Sequence, residues 1–252
     1  MPLSADMERV HRIRELVEQL INDPRQLGPN YEPIVRLADR KVVGVKATGR
    51  GAPGTELADT LSLLDGARSL GLVERLDWAF RAMSFDDLHG RDDLELHLTP
   101  EPETFGTACP PRFAASVSRG RRELTVAAEL HADSFGPGVT LNQGLSEIRE
   151  WGWRVVLADV ADDPAAVDGA AAVGPDIVQI DLRLPRRSPG ALPLGSRRLL
   201  SMAADTGAQV MALGVDTEAA RAVALDLGCV LARGALFGRP GPLPQAGITR
   251  SA

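Results

Sequence analysis

The short apolar runs of this chain end in residues that can carry charge, a proton or a metal ion. KVVGVKA is followed by Thr48, Gly49 and Arg50 and contains Lys46; LELHL supplies His97 and is followed by Thr99. LTVAAEL supplies Glu129 and leads to His131; WRVVLADV contains Ala158 and Asp159; DIVQIDL holds Gln179 and Asp181. QVMALGV contributes Leu213 and is followed by Asp216, and CVLARG contributes Arg233. Converging carboxylates at such positions hold hard divalent cations and support phosphoryl chemistry, for which two metals about 4 Å apart are usual. Here Glu129 and Asp159 are the candidate ligands, but Lys46, Arg233 and Leu213 stand among them, so the expected metal content is none. His97, Glu129 and Asp159 could instead form a one-histidine, two-carboxylate set with open positions. No Ser/His/Asp arrangement presents itself. Cys109 and Cys229 lack an evident partner base, and Cys229 opens an apolar run as a small buried hydrophobe would.

These residues come together only if the runs are strands of one sheet. YEPIVRL and KVVGVKA are β-rich and separated by Ala38, Asp39 and Arg40, which predicts a hairpin turn. The later runs alternate with stretches of helical length: 56–67, 72–83, 141–151, 164–173, 196–206 and 217–227. Strands alternating with helices predict parallel βαβ units, and about eight strands are the number that closes a TIM-like (β/α)8 barrel, whose functional residues gather at the C-terminal strand ends. The competing open doubly wound sheet is disfavoured because no GxGxxG follows a predicted strand.

Ahead of the barrel, Val10, Ile13, Val17, Leu20 and Ile21 recur every three or four residues, predicting an amphipathic helix stopped by Pro24 and the Gly28-Pro29 pair. That helix either packs on its own domain or serves a second chain. The expected organisation is an N-terminal helix in 1–28, a barrel in 29–245 and a flexible tail in 246–252. Pro- and Gly-rich stretches at 100–111 and 184–193 are expected loops, and Trp151 and Trp153 expected core.

The 252 residues carry a formal net charge of -6, which gives no bulk attraction for nucleic acid. Basic clusters at Arg119, Arg121 and Arg122 and at Arg186 and Arg187 are expected as solvated loop charges. Two cysteines far apart fit a reducing cytoplasm, the charged N-terminus is no signal peptide, and no apolar run is long enough for a membrane span.

The ordered motifs give these positions a second meaning. YEPIVRLADRKVVGVKATGR resembles the opening Y-Q-P-I-V and G-x-E-A-L-x-R of the EAL family of cyclic di-GMP phosphodiesterases. LELHLTPEPETF is similar to that family's V-N-x-S strand, AELHADSF to E-I-T-E, and WRVVLADVADD to the strand ending D-D-F-G-T-G. IVQIDL resembles L-K-I-D, MALGVDT resembles A-E-G-V-E-T, and GCVLARGALFGRP resembles G-x-x-x-Q-G-Y-x-F-x-x-P. The resemblance spans about Tyr31 to Pro240 and implies an EAL-type barrel.

It also implies what has changed. The family's metal-binding glutamate corresponds to Lys46, its metal-binding asparagine to His97, and the first aspartate of D-D to Ala158. Its catalytic lysine corresponds to Gln179, which carries no charge. The first glutamate of E-G-V-E is Leu213, and the late glutamine is Arg233. Glu129, Asp159, Asp216 and Arg50 keep family-like character. The Lys46 ammonium is expected to take the place of a cation and pair with Glu129 or Asp159, because buried carboxylates without a counter-ion are costly.

The resulting expectation is a degenerate, non-enzymatic EAL domain without cofactor, acting as a regulatory protein-interaction module in bacterial cyclic di-GMP signalling. The alternative is a receptor that binds cyclic di-GMP or another nucleotide without cleaving it; a remodelled metal-dependent enzyme is the third reading. For the receptor, Arg50 would meet a phosphate, unless it is a rim salt bridge. Asp77 lies near a guanine-contacting position, unless it is an exposed helix carboxylate; Asp159 and Asp216 complete the set. An oligomer is possible, but 161–172 lacks the family's dimer-loop signature.

Overall fold

In the computed structural model the described residues are 5–131, 141–158, 174–183, 192 and 194–243. Eight strands close a barrel in chain order: β1 (Asn30–Arg36), β2 (Val42–Thr48), β3 (Glu95–Leu98), β4 (Thr125–His131), β5 (Arg154–Ala158), β6 (Ile177–Asp181), β7 (Gln209–Leu213) and β8 (Leu231–Ala232). β1 runs antiparallel to both β2 and β8, while β2 to β8 pair in parallel. The antiparallel start follows from the short β1–β2 connection, because parallel neighbours need a crossover of a dozen or more residues. In that turn Asp39 accepts hydrogen bonds from Arg36 and from the Lys41 N–H, and Arg40 takes the left-handed conformation at φ 57.

Strand side chains alternate between faces, and the alternation sorts the core. Val45, Leu96, Leu98, Val126, Ala128, Leu130 and Val155 point outward into an apolar layer shared with the first helices. Val178, Ile180, Val210, Ala212 and Ala232 do the same beneath the later helices. Ile34, Ala127, Val156, Ile177, Met211, Leu213 and Leu231 fill the barrel interior. By the same parity Lys46, His97, Glu129, Ala158, Gln179 and Arg233 share the inward side.

The helices among the described residues are α1 (Ala5–Asn22), α2 (Thr60–Ser69), α3 (Val73–Asp87), α4 (Ala114–Glu123), α5 (Leu141–Glu150), α6 (Leu194–Thr206) and α7 (Glu218–Asp226). α1 packs on α2 and α3 of its own domain through Val17, Leu20 and Ile21, and ends at a 3-10 turn whose Gly28 is left-handed at φ 48. Asp59 caps α2 by accepting the Ser62 N–H at 3.0 Å, and Thr217 caps α7 through the Ala220 N–H at 3.1 Å. No described helix is long and apolar enough to cross a membrane.

Arg119, Arg121 and Arg122 are not loop charges: they lie on α4. Arg119 pairs with Asp86 of α3, and Arg121 stacks 4.2 Å over the Trp151 ring. Trp151 and Trp153 pack against each other, with centroids 4.8 Å apart. Asp159, the expected helix 164–173, the segment 161–172, Arg186, Arg187 and the tail 246–252 lie outside the described residues.

Candidate functional site

Glu129 is the centre of the barrel mouth. Its side chain is 1% exposed, and one of its oxygens, Oε2, receives two cations: Lys46 Nζ at 2.9 Å and Arg233 Nη2 at 3.5 Å. Its other oxygen, Oε1, meets His97 Nδ1 at 3.1 Å. His97 is fully buried, and its second ring nitrogen lies 3.1 Å from Glu95 Oε2. An imidazole with a carboxylate on each nitrogen can donate to both only as the imidazolium. Burial pushes His97 toward the neutral form, but Glu129 and Glu95 outweigh it and raise its pKa. Burial likewise opposes ionisation of Glu129, yet Arg233, Lys46 and His97 together hold its carboxyl well below the usual range.

The polar chain continues in both directions. Below, Arg154 donates to Glu95 at 3.1 Å and to Gln209 at 2.7 Å, at the N-terminal ends of the strands. Above, Arg233 reaches Glu32 at 3.5 Å. Glu32 is disfavoured as an anion by burial, which Arg233 offsets only in part. Lys46 also donates to the Thr99 hydroxyl.

Beside this cluster lies a cavity of about 260 Å³ between the mouth and α2 and α3. Leu64, Leu76 and Phe80 form apolar walls, Asp77 and Glu101 stand at the polar edge, and Lys46 and Thr99 border it toward Glu129. Gly49 also lines it; a Cβ there would come within 3.1 Å of Phe80. The alternative of an exposed Asp77 is overturned: it is 4% exposed, paired with Arg81 one turn on, and accepts the Glu101 N–H at 3.3 Å. Arg81 is itself buried and stacks 4.9 Å over Trp78. Burial and the Asp77 charge raise the Glu101 pKa, with Arg68 opposing.

The expected residues fare differently. Lys46, His97, Glu129 and Arg233 are brought together. Ala158 is buried, and Gln179 is buried with neither side-chain polar atom hydrogen-bonded among the described residues. Asp216 is exposed and accepts the Ala235 N–H at 2.7 Å. Arg50 is exposed, and its recorded contact is a backbone bond to Leu27, so the rim salt bridge is not found among the described residues. Glu95, Arg154, Glu101 and Arg81 were not anticipated; two-residue parity from His97 would have placed Glu95 inside.

A closed βα barrel with a charged mouth and an apolar side cavity defines the class: an α/β barrel with a site at the C-terminal strand ends. Comparison with protein families matches the EAL domain over residues 13–240, and the chain belongs to that family. One curated relative, the "Probable cyclic di-GMP phosphodiesterase PdeI" of Escherichia coli (strain K12), is 22% identical over 232 residues. That match covers 84% of this chain and 28% of the relative's length. Among solved structures, the FimX EAL domain of Xanthomonas citri in complex with c-diGMP aligns at TM-score 0.73 and 16% identity, covering 95% of this chain and 97% of that one. The PaMucR phosphodiesterase in its c-di-GMP complex aligns at TM-score 0.68 and 18% identity, covering 92% and 98%. These likenesses show the barrel fold.

Among the described residues, the mouth does not offer a divalent cation an open set of oxygen ligands. Both Glu129 oxygens and both His97 nitrogens are engaged within the cluster, and the nearest neighbours of Glu129 are cations rather than oxygen donors.

Proposed function

We propose that this chain is a non-hydrolysing EAL domain: a regulatory module that binds a nucleotide of the cyclic di-GMP type without cleaving it. The observation that carries this reading is the buried ion pair of Lys46 with Glu129. An ammonium held at 2.9 Å from the central carboxylate occupies the space in which a cation would polarise a phosphodiester, and it supplies neither a metal-bound nucleophile nor a base. Gln179, at the position the resemblance gives to a catalytic lysine, adds no charge.

The side cavity favours the receptor form over a module that only binds protein. Its apolar walls suit a flat ring, Asp77 can accept hydrogen bonds from an amino or imino edge, and Lys46 stands where an anionic linkage would follow. The c-di-GMP carried by the related FimX and MucR structures supports the same class of ligand.

Two measurements test this. Chromatography of cyclic di-GMP incubated with the protein and magnesium should give no linear product above the blank. Calorimetric titration should give a saturable isotherm that weakens about tenfold or more in Asp77→Asn, the loss expected for a charged acceptor in a buried site. Linear dinucleotide that appears with the wild type and vanishes with Glu129→Gln would sink the non-hydrolysing reading. Absence of binding would return the function to protein interaction alone.

A further inference from the structure

We infer that the groove between α6 and α7, at the opposite end of the barrel from the mouth, docks a basic amphipathic segment of a partner protein. This surface is separate from the nucleotide site, and its occupation does not depend on that reading. The groove has a volume of about 410 Å³ and lies where the chain enters β7 and β8, at the N-terminal ends of the strands. Leu200, Ala203 and Ala204 of α6 line it, with Leu227 beyond α7 and Val210 and Val230 at the feet of β7 and β8. Gly207 and Gly228, which follow the two helices, line it as well. Both are left-handed at φ 77, and a Cβ on either would meet nothing within 4 Å. The apolar wall is therefore open. Val230 is 43% exposed, and Leu225 in the last turn of α7 is 41% exposed.

The charges beside the groove select its occupant. Asp205 stands in the last turn of α6 and Asp226 ends α7, each exposed and each next in sequence to a lining residue. A carboxylate there opposes the macrodipole, whose negative end favours a lysine or arginine, and neither helix has a basic residue in its last turn. Neither acid forms an ion pair among the described residues. Arg154, the cation that bonds the groove's Gln209, is already matched by Glu95. Two unmatched acids placed against local helix stability point to a cation from outside. An amphipathic segment meets both demands: its apolar side chains enter the groove at i, i+3 and i+4, while flanking lysines or arginines reach the acids. The same acids would repel an anionic lipid or a nucleic acid, and a second copy related by a two-fold axis would set acid against acid.

Fluorescence anisotropy tests the groove, with the full chain and a fluorescein-labelled peptide of leucine and lysine in helical heptads. The peptide should bind saturably, while its counterpart with glutamate for lysine should not. Affinity should fall about tenfold or more in Ala204→Arg, which sets bulk and a like charge in the groove from an exposed helix position. It should fall about threefold or more in the double variant Asp205→Asn, Asp226→Asn. If Ala204→Arg melts early by circular dichroism, Val230→Lys replaces it with the same expected loss. Variants that bind as the wild type does would put the peptide elsewhere on an acidic surface and overturn the inference. So would equal binding of the glutamate peptide, or no binding of either. A dimer by light scattering that Ala204→Arg dissolves and the lysine peptide leaves intact would give the groove to a second copy instead. Each of these outcomes leaves the nucleotide reading of the mouth as it was.

Discussion

Glu129 shows how a single side chain decides whether a buried charge cluster holds or fails. It is nearly inaccessible to water, and its ionisation is sustained by three neighbours rather than by solvent. Replacing it with glutamine keeps the shape and removes the charge, leaving Lys46 and Arg233 facing each other across a neutral amide. Breaking a buried pair by removing one partner costs about 3–5 kcal/mol, because the remaining charge is uncompensated. Glu129→Gln should therefore lower the urea midpoint by a clear margin; an unchanged midpoint would mean that solvent screens the mouth. Lys46→Met, which leaves Glu129 two other cations, should cost less than Glu129→Gln. Much of this cluster was legible in the chain: Lys46, His97, Glu129 and Arg233 stand at strand ends, and a cation was expected beside Glu129. Asp77 was harder, because one carboxylate on a helix reads the same whether it faces water or a neighbour. Its burial is seen only when its partner Arg81 is found packed 5.6 Å from the Trp151 ring, which lies far along the chain.

At the scale of elements, the barrel was legible because its strands are short apolar runs of fixed alternation, and each expected run became a strand. The α4 helix was not legible. Ala114–Glu123 is dominated by small and basic residues, buries only Val117 and Gly120, and follows a proline-rich stretch, so its apolar stripe is too thin to announce a helix. The packing of α4 depends on glycine for a physical reason. A Cβ on Gly120 would come within 2.4 Å of the Phe85 ring on α3, and that ring is fixed edge-on against Trp153 at 5.9 Å. Gly120→Ala gains about 1 kcal/mol of helix propensity but forces an overpacked contact costing about 1–3 kcal/mol. Net destabilisation is the expected outcome, readable as a lower melting temperature. A gain would show that α3 and α4 can slide apart without penalty.

Across the whole molecule, the polar side chains join opposite ends of the barrel. Glu32, Arg233, Glu129, His97, Glu95, Arg154 and Gln209 follow one another through contacts of 2.7 to 3.5 Å, drawing on strands from both sides of the closed sheet. An interior linked in this way ties stability to pH. His97 has its pKa raised above 6.5, so its contribution is fully present below 6.5 and fades as pH rises through the folded value. Glu129 and Glu95 have theirs lowered below 4.5, so their contributions are present above 4.5 and are lost as pH falls through the folded values. The chain is thus most stabilising between about pH 4.5 and 6.5, and the protein should melt progressively earlier as pH is raised from about 6 to about 9. Glu32 and Glu101, both with raised pKa, act in the same direction, because they oppose folding once ionised. Scanning calorimetry of the wild type and His97→Gln separates the contributions: the variant should be less stable at pH 6 and show a shallower fall toward pH 9. Equal slopes would assign the pH dependence to other groups and leave His97 a neutral bridge, in which case one of its two carboxylate contacts lacks a proton.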